Sequence, residues 1–396
     1  MRPLRLAPVL LLLACVPILG DGGFFPPVHG VATTADQRAV VIDHSGAETI
    51  VLQTAYDGDA SDFAWVIPVP ALISAAQSVG TTDPGLFDAL EQLTAPRHVG
   101  AFTSSAGLCG CSGSGGPERR LDGVTVWETL RVEDYEVAVL SAEESADLAQ
   151  WLDDNGYHLP SGSEDTLQYY VARESFFVAL KIAPAAQQAG ETGRDGPPGG
   201  DLEAGEQLRP ITLTFPTEEL VFPMRISRVS TRERVEVLLY VLGPHRAVSQ
   251  NYPTTEVDVP QTWRGDDFTA AYDRWFEEAI ADAGGAALVV EYAGQLPSWR
   301  AETPPLSDLL RPGREYFLTR LRTRLSPEQM TADIAMAPAD ADTRFEVVVD
   351  NGSARSRGGI AFALLIGGVS GMTLRWRRLR ALAWSSALLG VLLLLL

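Results

Sequence analysis

The sequence predicts an α+β fold, mainly antiparallel sheet with a few packed helices, held outside the cell membrane by a C-terminal transmembrane helix. Three observations predict it. Short β-branched and apolar runs recur between Gly, Pro and Asp turns along the chain. Few segments carry helical periodicity, and these do not alternate regularly with the strands. All 51 acidic residues lie between Asp21 and Asp350, whereas both ends are apolar and basic. No repeat of fixed period breaks this pattern.

At the N-terminus, Arg2 and Arg5 precede an apolar run from Leu6 to Leu19, and Gly20, Asp21, Gly22 and Gly23 follow. A basic segment, a short apolar stretch and small residues at its exit predict a secretory signal peptide over residues 1–20. A second reading is lipidation at Cys15, because Leu12-Leu13-Ala14-Cys15 resembles a lipobox. That reading leaves the apolar stub Val16-Pro17-Ile18-Leu19 on the mature chain.

Arg38–Asp43 and Thr49–Tyr56 are β-branched and apolar, parted by His44-Ser45-Gly46-Ala47, which predicts a hairpin. Asp62–Val69 is a third strand, stopped by Pro68 and Pro70, and a three-strand meander follows from the order. Pro84–Leu93 is a short helix, and Ser104–Pro117 a Gly/Ser-rich loop. Val124–Leu140 supplies one or two strands. Ser141-Ala-Glu-Glu144 has the form of a capping box and predicts a helix over Ala142–Asp154. Ser175–Ile182 is a buried strand, and residues 184–208 form an Ala/Gln/Gly/Pro-rich loop or linker. Ile211–Phe215, Met224–Val229 and Arg234–Leu242 read as strands. Asp266–Ala283 is an amphipathic helix with Phe268, Tyr272, Trp275, Phe276 and Ile280 on one side. Ala287–Tyr292 and Phe345–Val349 are the last strands.

Beyond them, Gly358–Leu374 is an uncharged run of 17 residues, the lower limit for a spanning helix. Arg375-Trp376-Arg377-Arg378-Leu379-Arg380 follows and holds residues 375–380 on the cytoplasmic side. Residues 381–396 are a second apolar segment, either a return span, an interfacial segment or a sorting tail. The expected location is therefore membrane-anchored, with residues 21–350 outside the cytoplasm in the bacterial envelope.

That region carries 23 basic and 51 acidic residues, a net charge of −28. Such a field repels nucleic acid and anionic lipid, so a nucleic-acid partner is excluded. The acidic surface reads as a solubilising one.

Motifs for chemistry are sparse. His29, His44, His98, His158 and His245 are scattered, and none forms H-E-x-x-H. Neither a G-x-S-x-G elbow nor a phosphate-binding glycine loop is present. Asp57-x-Asp59-x-Ser61 opens like a calcium loop, but Asp62 replaces the glycine of the sharp turn and Pro68 replaces the closing glutamate. A solvated turn is the expectation there. Cys109-Gly110-Cys111 permits a local disulfide in a Gly/Ser loop, or a small redox or metal loop. No catalytic, cofactor-binding or metal residue is assigned.

The stretch Tyr56-Asp-Gly-Asp-Ala-Ser-Asp-Phe63-Ala-Trp65-Val-Ile-Pro68-Val-Pro70 is distinctive, as is Gly22-Gly23-Phe24-Phe25 with Gln37-Arg-Ala-Val40 after it. Leu86-Phe-Asp-Ala-Leu90, Ala95-Pro-Arg97 and Leu325-Ser-Pro-Glu-Gln-Met-Thr-Ala-Asp333 extend the pattern. Together they resemble the bacterial DUF2330 family, exported proteins of unknown function. The resemblance implies export and one continuous domain over residues 21–350, and brings no catalytic residue. Family members commonly carry cysteines flanking the Gly-Gly-Phe-Phe element, where this chain has Asp21 and Pro26. Gly23, Phe24, Phe25, Phe63, Trp65, Pro68 and Pro70 are the motif residues, read as structural. Phe63, Trp65, Ile67 and Val69 alternate with Ala64 and Val66, so both faces are apolar, as in a buried central strand.

The first functional expectation is a non-enzymatic envelope domain that binds a protein or glycan. The second is an envelope hydrolase whose site is built from dispersed carboxylates. A redox or metal role at Cys109 and Cys111 is the third. A cleft bringing together two carboxylates of shifted pKa favours the enzyme. A flat apolar patch or an exposed strand edge favours binding.

Overall fold

The computed structural model describes residues 23–25, 32–58, 64–99, 123–133, 135–157, 159–160, 162–182, 209–231 and 233–352. The first part contributes β1 (Gly23–Phe25), β2 (Ala32–Asp43), β3 (Ala47–Gly58), β4 (Ala64–Val69), α1 (Ala75–Ser78), β5 (Val79–Thr81), α2 (Gly85–Thr94), β6 (Arg97–Val99), β7 (Val124–Val132), β8 (Tyr135–Ala142), α3 (Ser145–Asp154), α4 (Glu164–Val171) and β9 (Phe176–Ile182). The second contributes β10 (Ile211–Pro216), β11 (Leu220–Phe222), α5 (Met224–Ser227), β12 (Val235–Gly243), β13 (Ala247–Ser249), β14 (Thr254–Glu256), α6 (Phe268–Asp282), β15 (Leu288–Gln295), α7 (Ser298–Ala301), α8 (Leu306–Leu309), β16 (Phe317–Leu325), β17 (Ile334–Pro338), β18 (Phe345–Glu346) and β19 (Val348–Asp350).

Two large sheets dominate. One is antiparallel with strand order β1-β4-β9-β8-β7. The other runs β14-β15-β16-β12-β2-β3-β10-β5, with β18 added on β15. It is mixed, because β12 pairs β2 and β14 pairs β15 in parallel. Strand alternation decides what each face covers. Trp65, Ile67, Val137 and Leu180 of the first sheet share one core with Val41, Leu52, Leu213 and Leu239 of the second. The opposite face of the first sheet, through Val66, Leu140 and Phe177, packs on Leu148 and Leu152 of α3 and Leu167 of α4. The opposite face of the second sheet packs on α2 through Leu86, Phe87 and Leu90, and on α6 through Tyr272, Phe276 and Ile280. The result is four layers: helices, sheet, sheet, helices. A small sheet, β11-β17-β13, lies at one end.

Several expectations hold closely. Asp267 caps α6, its side chain accepting from Ala270 N at 2.9 Å. Strand β4 is central between β1 and β9, with apolar side chains buried on both faces. Others need correction. β2, β3 and β4 do not form a meander: β2 pairs β3, but β4 joins the other sheet. The side of β3 that a meander would give to β4 is taken by β10. Met224–Val229 is not a strand, because residues Met224–Ser227 make the helical turn α5. Pro223 precedes that turn, and its first free amides find side-chain acceptors on neighbouring elements. The capping box sits three residues later than expected, on Glu144 and Asp147. Ser141 and Ala142 belong instead to β8, paired with Thr125 and Val124.

The signal peptide, the residue 184–208 linker, most of the Asp57–Ser61 turn, Cys109-Gly110-Cys111 and the expected span at residues 358–374 lie outside the described residues. Among the described residues no helix is long and apolar enough to cross a membrane.

Candidate functional site

Where the two sheets part at one end, a cleft of about 540 Å3 opens. The end of β4 supplies Ile67, Pro68, Val69 and Pro70. Glu48 and Ile50 come from the start of β3, and Phe215 from the end of β10. Val221 of β11 and Ala335 of β17 close another side, and Tyr169, Tyr170 and Arg173 come from α4 and the residues just after it. The segment leading into β17 contributes Ala332 and Asp333. Two of the distinctive sequence segments, Phe63–Pro70 and Leu325–Asp333, thus meet at one cavity.

Glu48 is the unusual residue. It shares the inward parity of Ile50 and Leu52 on β3, so the strand turns its carboxyl into the sandwich. The side chain is fully buried. Val221 N donates to Oε2 at 3.0 Å, while Oε1 has no hydrogen-bond partner among the described residues. Burial pushes the carboxyl up to about 8, against the Val221 N–H, which lowers it, and with help from the Asp43 charge. At neutral pH Glu48 is therefore mostly a neutral acid, able to donate a hydrogen bond.

Asp333 is differently placed. Its Oδ1 accepts from the Tyr170 hydroxyl at 2.5 Å and from Arg225 N at 2.9 Å. Burial raises it to about 6, opposed by these two donors and by the Arg173 and Arg225 charges. The Tyr170 hydroxyl also accepts from Ile226 N at 2.9 Å. Asp333 and Tyr170 together satisfy the first amides of α5, so part of their role is structural. At the rim, the guanidinium carbons of Arg173 and Arg225 lie 3.5 and 4.2 Å from the Tyr169 ring centroid. Glu218 and Glu219 are exposed on the adjoining turn.

A second polar cluster lies on the outer face of the larger sheet. Strand β16 places Arg320, Arg322 and Arg324 on that face at every second residue. Arg320 Nε donates to Glu291 Oε2 at 2.6 Å and Arg320 Nη1 to Glu91 Oε2 at 2.8 Å. Glu291 is buried and also accepts from the Tyr272 hydroxyl at 2.7 Å. Arg322 grips Glu236 with two bonds of 2.8 and 2.7 Å, and Arg324 reaches Glu236, Asp273 and Glu277. A cavity of about 300 Å3 adjoins this network. Every carboxylate in it already has an arginine, which marks the cluster as a pin between α2, α6 and the sheet.

The residues singled out from the sequence are placed as follows. Gly23, Phe24 and Phe25 form β1 and pair in register with Val66, Trp65 and Ala64, so the two motif elements are adjacent strands. Trp65 is buried in the shared core. Pro68 pairs with Phe177 inside β4 and lines the cleft, and exposed Pro70 stands at its rim. Phe63, Cys109 and Cys111 lie outside the described residues. His44 Nε2 is 2.9 Å from Thr49 Oγ1, His98 stacks on Phe268, and His245 Nδ1 is 3.0 Å from Asp342 Oδ2. Among the described residues no group of three or more His, Cys, Asp or Glu side chains is arranged to hold a metal ion. Sequence reasoning missed Glu48. Its signal was the alternation Glu48, Ile50, Leu52, which puts an acid on an apolar face.

No curated protein and no solved structure matches the chain. Residues 20–337 match a family described as an uncharacterized protein conserved in bacteria, DUF2330. That span contains both motif strands, Glu48, the cleft and the arginine strand, and the chain belongs to the DUF2330 family.

Proposed function

We propose that this protein is a membrane-tethered, extracytoplasmic binding domain of the bacterial envelope, and that the cleft at the end of the sandwich is its ligand site. One observation carries the reading: both large sheets, the small end sheet and α4 converge on one cleft of about 540 Å3, lined by Arg173, Glu218, Glu219 and Asp333 together with Ile67, Pro68, Val69 and Pro70 of the distinctive β4 segment. The cavity has the size of a small-molecule site, and polar and apolar side chains line it in equal number. The apolar C-terminal segments and the N-terminal basic-apolar run support the tethered, exported placement.

A second reading, an envelope hydrolase, is favoured by one specific observation. Glu48 and Asp333 line the same cleft, and both are raised above the usual carboxylate range. Binding is preferred because the Oδ1 of Asp333 is already held by Tyr170 and Arg225 N. The two readings separate when the full-length protein in detergent is incubated with soluble envelope glycan fragments. Retention of unaltered fragments, lost in Pro70→Trp, which narrows the cleft mouth, is the expected result. Fragments cleaved by the wild type and intact with Glu48→Gln would instead establish the hydrolase. Retention unaffected by Pro70→Trp would place the site elsewhere.

A further inference from the structure

The chain leaves the described domain at one corner, and that corner is tied down. Asp350 O accepts from Trp263 N at 2.8 Å, and Gly352 O accepts from Arg264 Nη2 at 2.7 Å. Asp350 N donates to Gln261 O at 3.1 Å. Strand β19 lies there beside β6 in parallel. Alternation gives this two-stranded ribbon two unlike faces. Val349 is buried on the inner face, where the His98 ring stacks on Phe268 with centroids 5.1 Å apart. Arg97, Val99 and Val348 are exposed on the outer face. Val99 and Val348, at 41% and 40% exposure, are two of the five exposed large apolar side chains among the described residues. Beside His98, the half-buried rings of Trp263, Phe268 and Trp275 meet edge to face, with centroids 5.9 to 6.4 Å apart.

The first apolar tail segment starts at Gly358, six residues past Gly352. Six residues of fully extended chain reach at most about 22 Å. The larger sheet is wider: six strand spacings, about 29 Å, separate β15, the partner of β18 beside the exit, from β5 at the far edge. A tail inserted in a bilayer therefore keeps the β6–β19 corner close to the membrane surface, whereas the far edge is free to stand off it. Charge does not supply the contact, because an acidic domain gains nothing from anionic lipid. Apolar and aromatic side chains do supply it, and tryptophan settles at the level of the headgroups.

We propose that the β6–β19 corner rests in the headgroup–acyl boundary of the bilayer that holds this chain's own tail, with Val99 and Val348 inserted and Trp263 and Trp275 at headgroup level. It rests on the tail spanning a membrane and does not depend on the cleft. The contact fixes which side of the sandwich faces the membrane, so the domain holds one orientation instead of swinging on its tether.

The test uses full-length protein in which Cys15, Cys109 and Cys111 are changed to Ser and one cysteine is added, by Val99→Cys, Val348→Cys or Leu72→Cys. Leu72 is 43% exposed and precedes α1, which packs on β10 and β5 at the far edge. All three sites are exposed, so a label there leaves the core intact. Each variant is labelled with the polarity-sensitive dye NBD and reconstituted in phosphatidylcholine nanodiscs, with and without lipid carrying a nitroxide on its headgroup. The labels at positions 99 and 348 emit further to the blue and lose intensity to the nitroxide lipid. The label at position 72 emits as in water and keeps its intensity. Labels at 99 and 348 that emit as in water, on protein that migrates with the nanodiscs, overturn the proposal and leave the tether standing. Blue emission at 99 and 348 without quenching also overturns it, because a protein surface such as a second copy then covers the corner. Protein that does not migrate with the nanodiscs overturns the tethered reading, and the corner contact falls with it.

Discussion

Glu48 shows how far one residue departs from its sequence neighbourhood. Its place between Ala47 and Thr49 at a strand start is where an exposed acid would be unremarkable. Parity alone turns it inward, and the partner that defines its environment, Val221, is 173 residues away. From the sequence that strand starts at Thr49, one residue past Glu48, and nothing local signals the desolvation. The consequence for stability has a definite sign. The folded carboxyl is raised to about 8 from an ordinary value of 4.5. Between those values the unfolded chain has released the proton and the folded chain has kept it, so stability falls as pH rises. The fall approaches roughly 1.4 kcal/mol per pH unit across that window and stops above it. Chemical denaturation at a series of pH values from about 5 to about 9 should show this decline in wild type and a much flatter profile in Glu48→Gln. Asp333, raised to about 6, adds a decline of the same sign over a lower and narrower window in both proteins. A wild-type profile that rises across the range would mean Glu48 is ionised in the folded state.

At the scale of elements, β16 was the strand the sequence hid. Phe317-Leu-Thr-Arg-Leu-Arg-Thr-Arg-Leu325 alternates only in part, with Leu318 on the arginine side and Thr319 and Thr323 on the other, and arginine on every second residue from Arg320 reads as a solvated face. Helices α2 and α6 cover that face, and acids on both helices and on β12 and β15 meet the arginines. Nothing local could announce this, since the partners lie up to 229 residues away. Removing one member of such a buried set leaves the other charged and unsolvated. Arg320→Met should therefore destabilise the fold by about 3–5 kcal/mol, measured by denaturant unfolding. Arg320→Met combined with Glu291→Leu should cost less than the sum of the two single changes, because the stranded carboxylate is gone. Additive costs would mean that the pair is not coupled. Helix α5 teaches the complementary lesson. Its residues Met224-Arg-Ile-Ser227 read as part of a strand, yet distant Asp333 and Tyr170 accept from the Arg225 and Ile226 amides and fix a turn.

Over the whole molecule, the class of fold was legible and its layering was not. Strand-rich segments, a few amphipathic helices and the twin apolar faces of β4 are all visible in the chain. Which strand joins which sheet is decided by long-range pairing, such as β12 beside β2 in parallel. The cleft is a product of that layering, because its walls come from both large sheets, the small end sheet and α4 together. The distinctive Phe63–Pro70 and Leu325–Asp333 segments marked its place without revealing its chemistry. The apolar ends make a separate prediction. Full-length protein expressed in a bacterial host should pellet with membranes after an alkaline wash, and deletion of residues 358–396 should release it as soluble extracytoplasmic protein. Recovery of the deleted form inside the cytoplasm would refute export. The neutral acid buried behind the cleft is open to direct observation, by 13C NMR titration of the glutamate side-chain carboxyls with Glu48 assigned from its loss in Glu48→Gln. A midpoint near 8 is the expected result. A midpoint in the ordinary carboxylate range would contradict a Glu48 held protonated by burial in the folded protein.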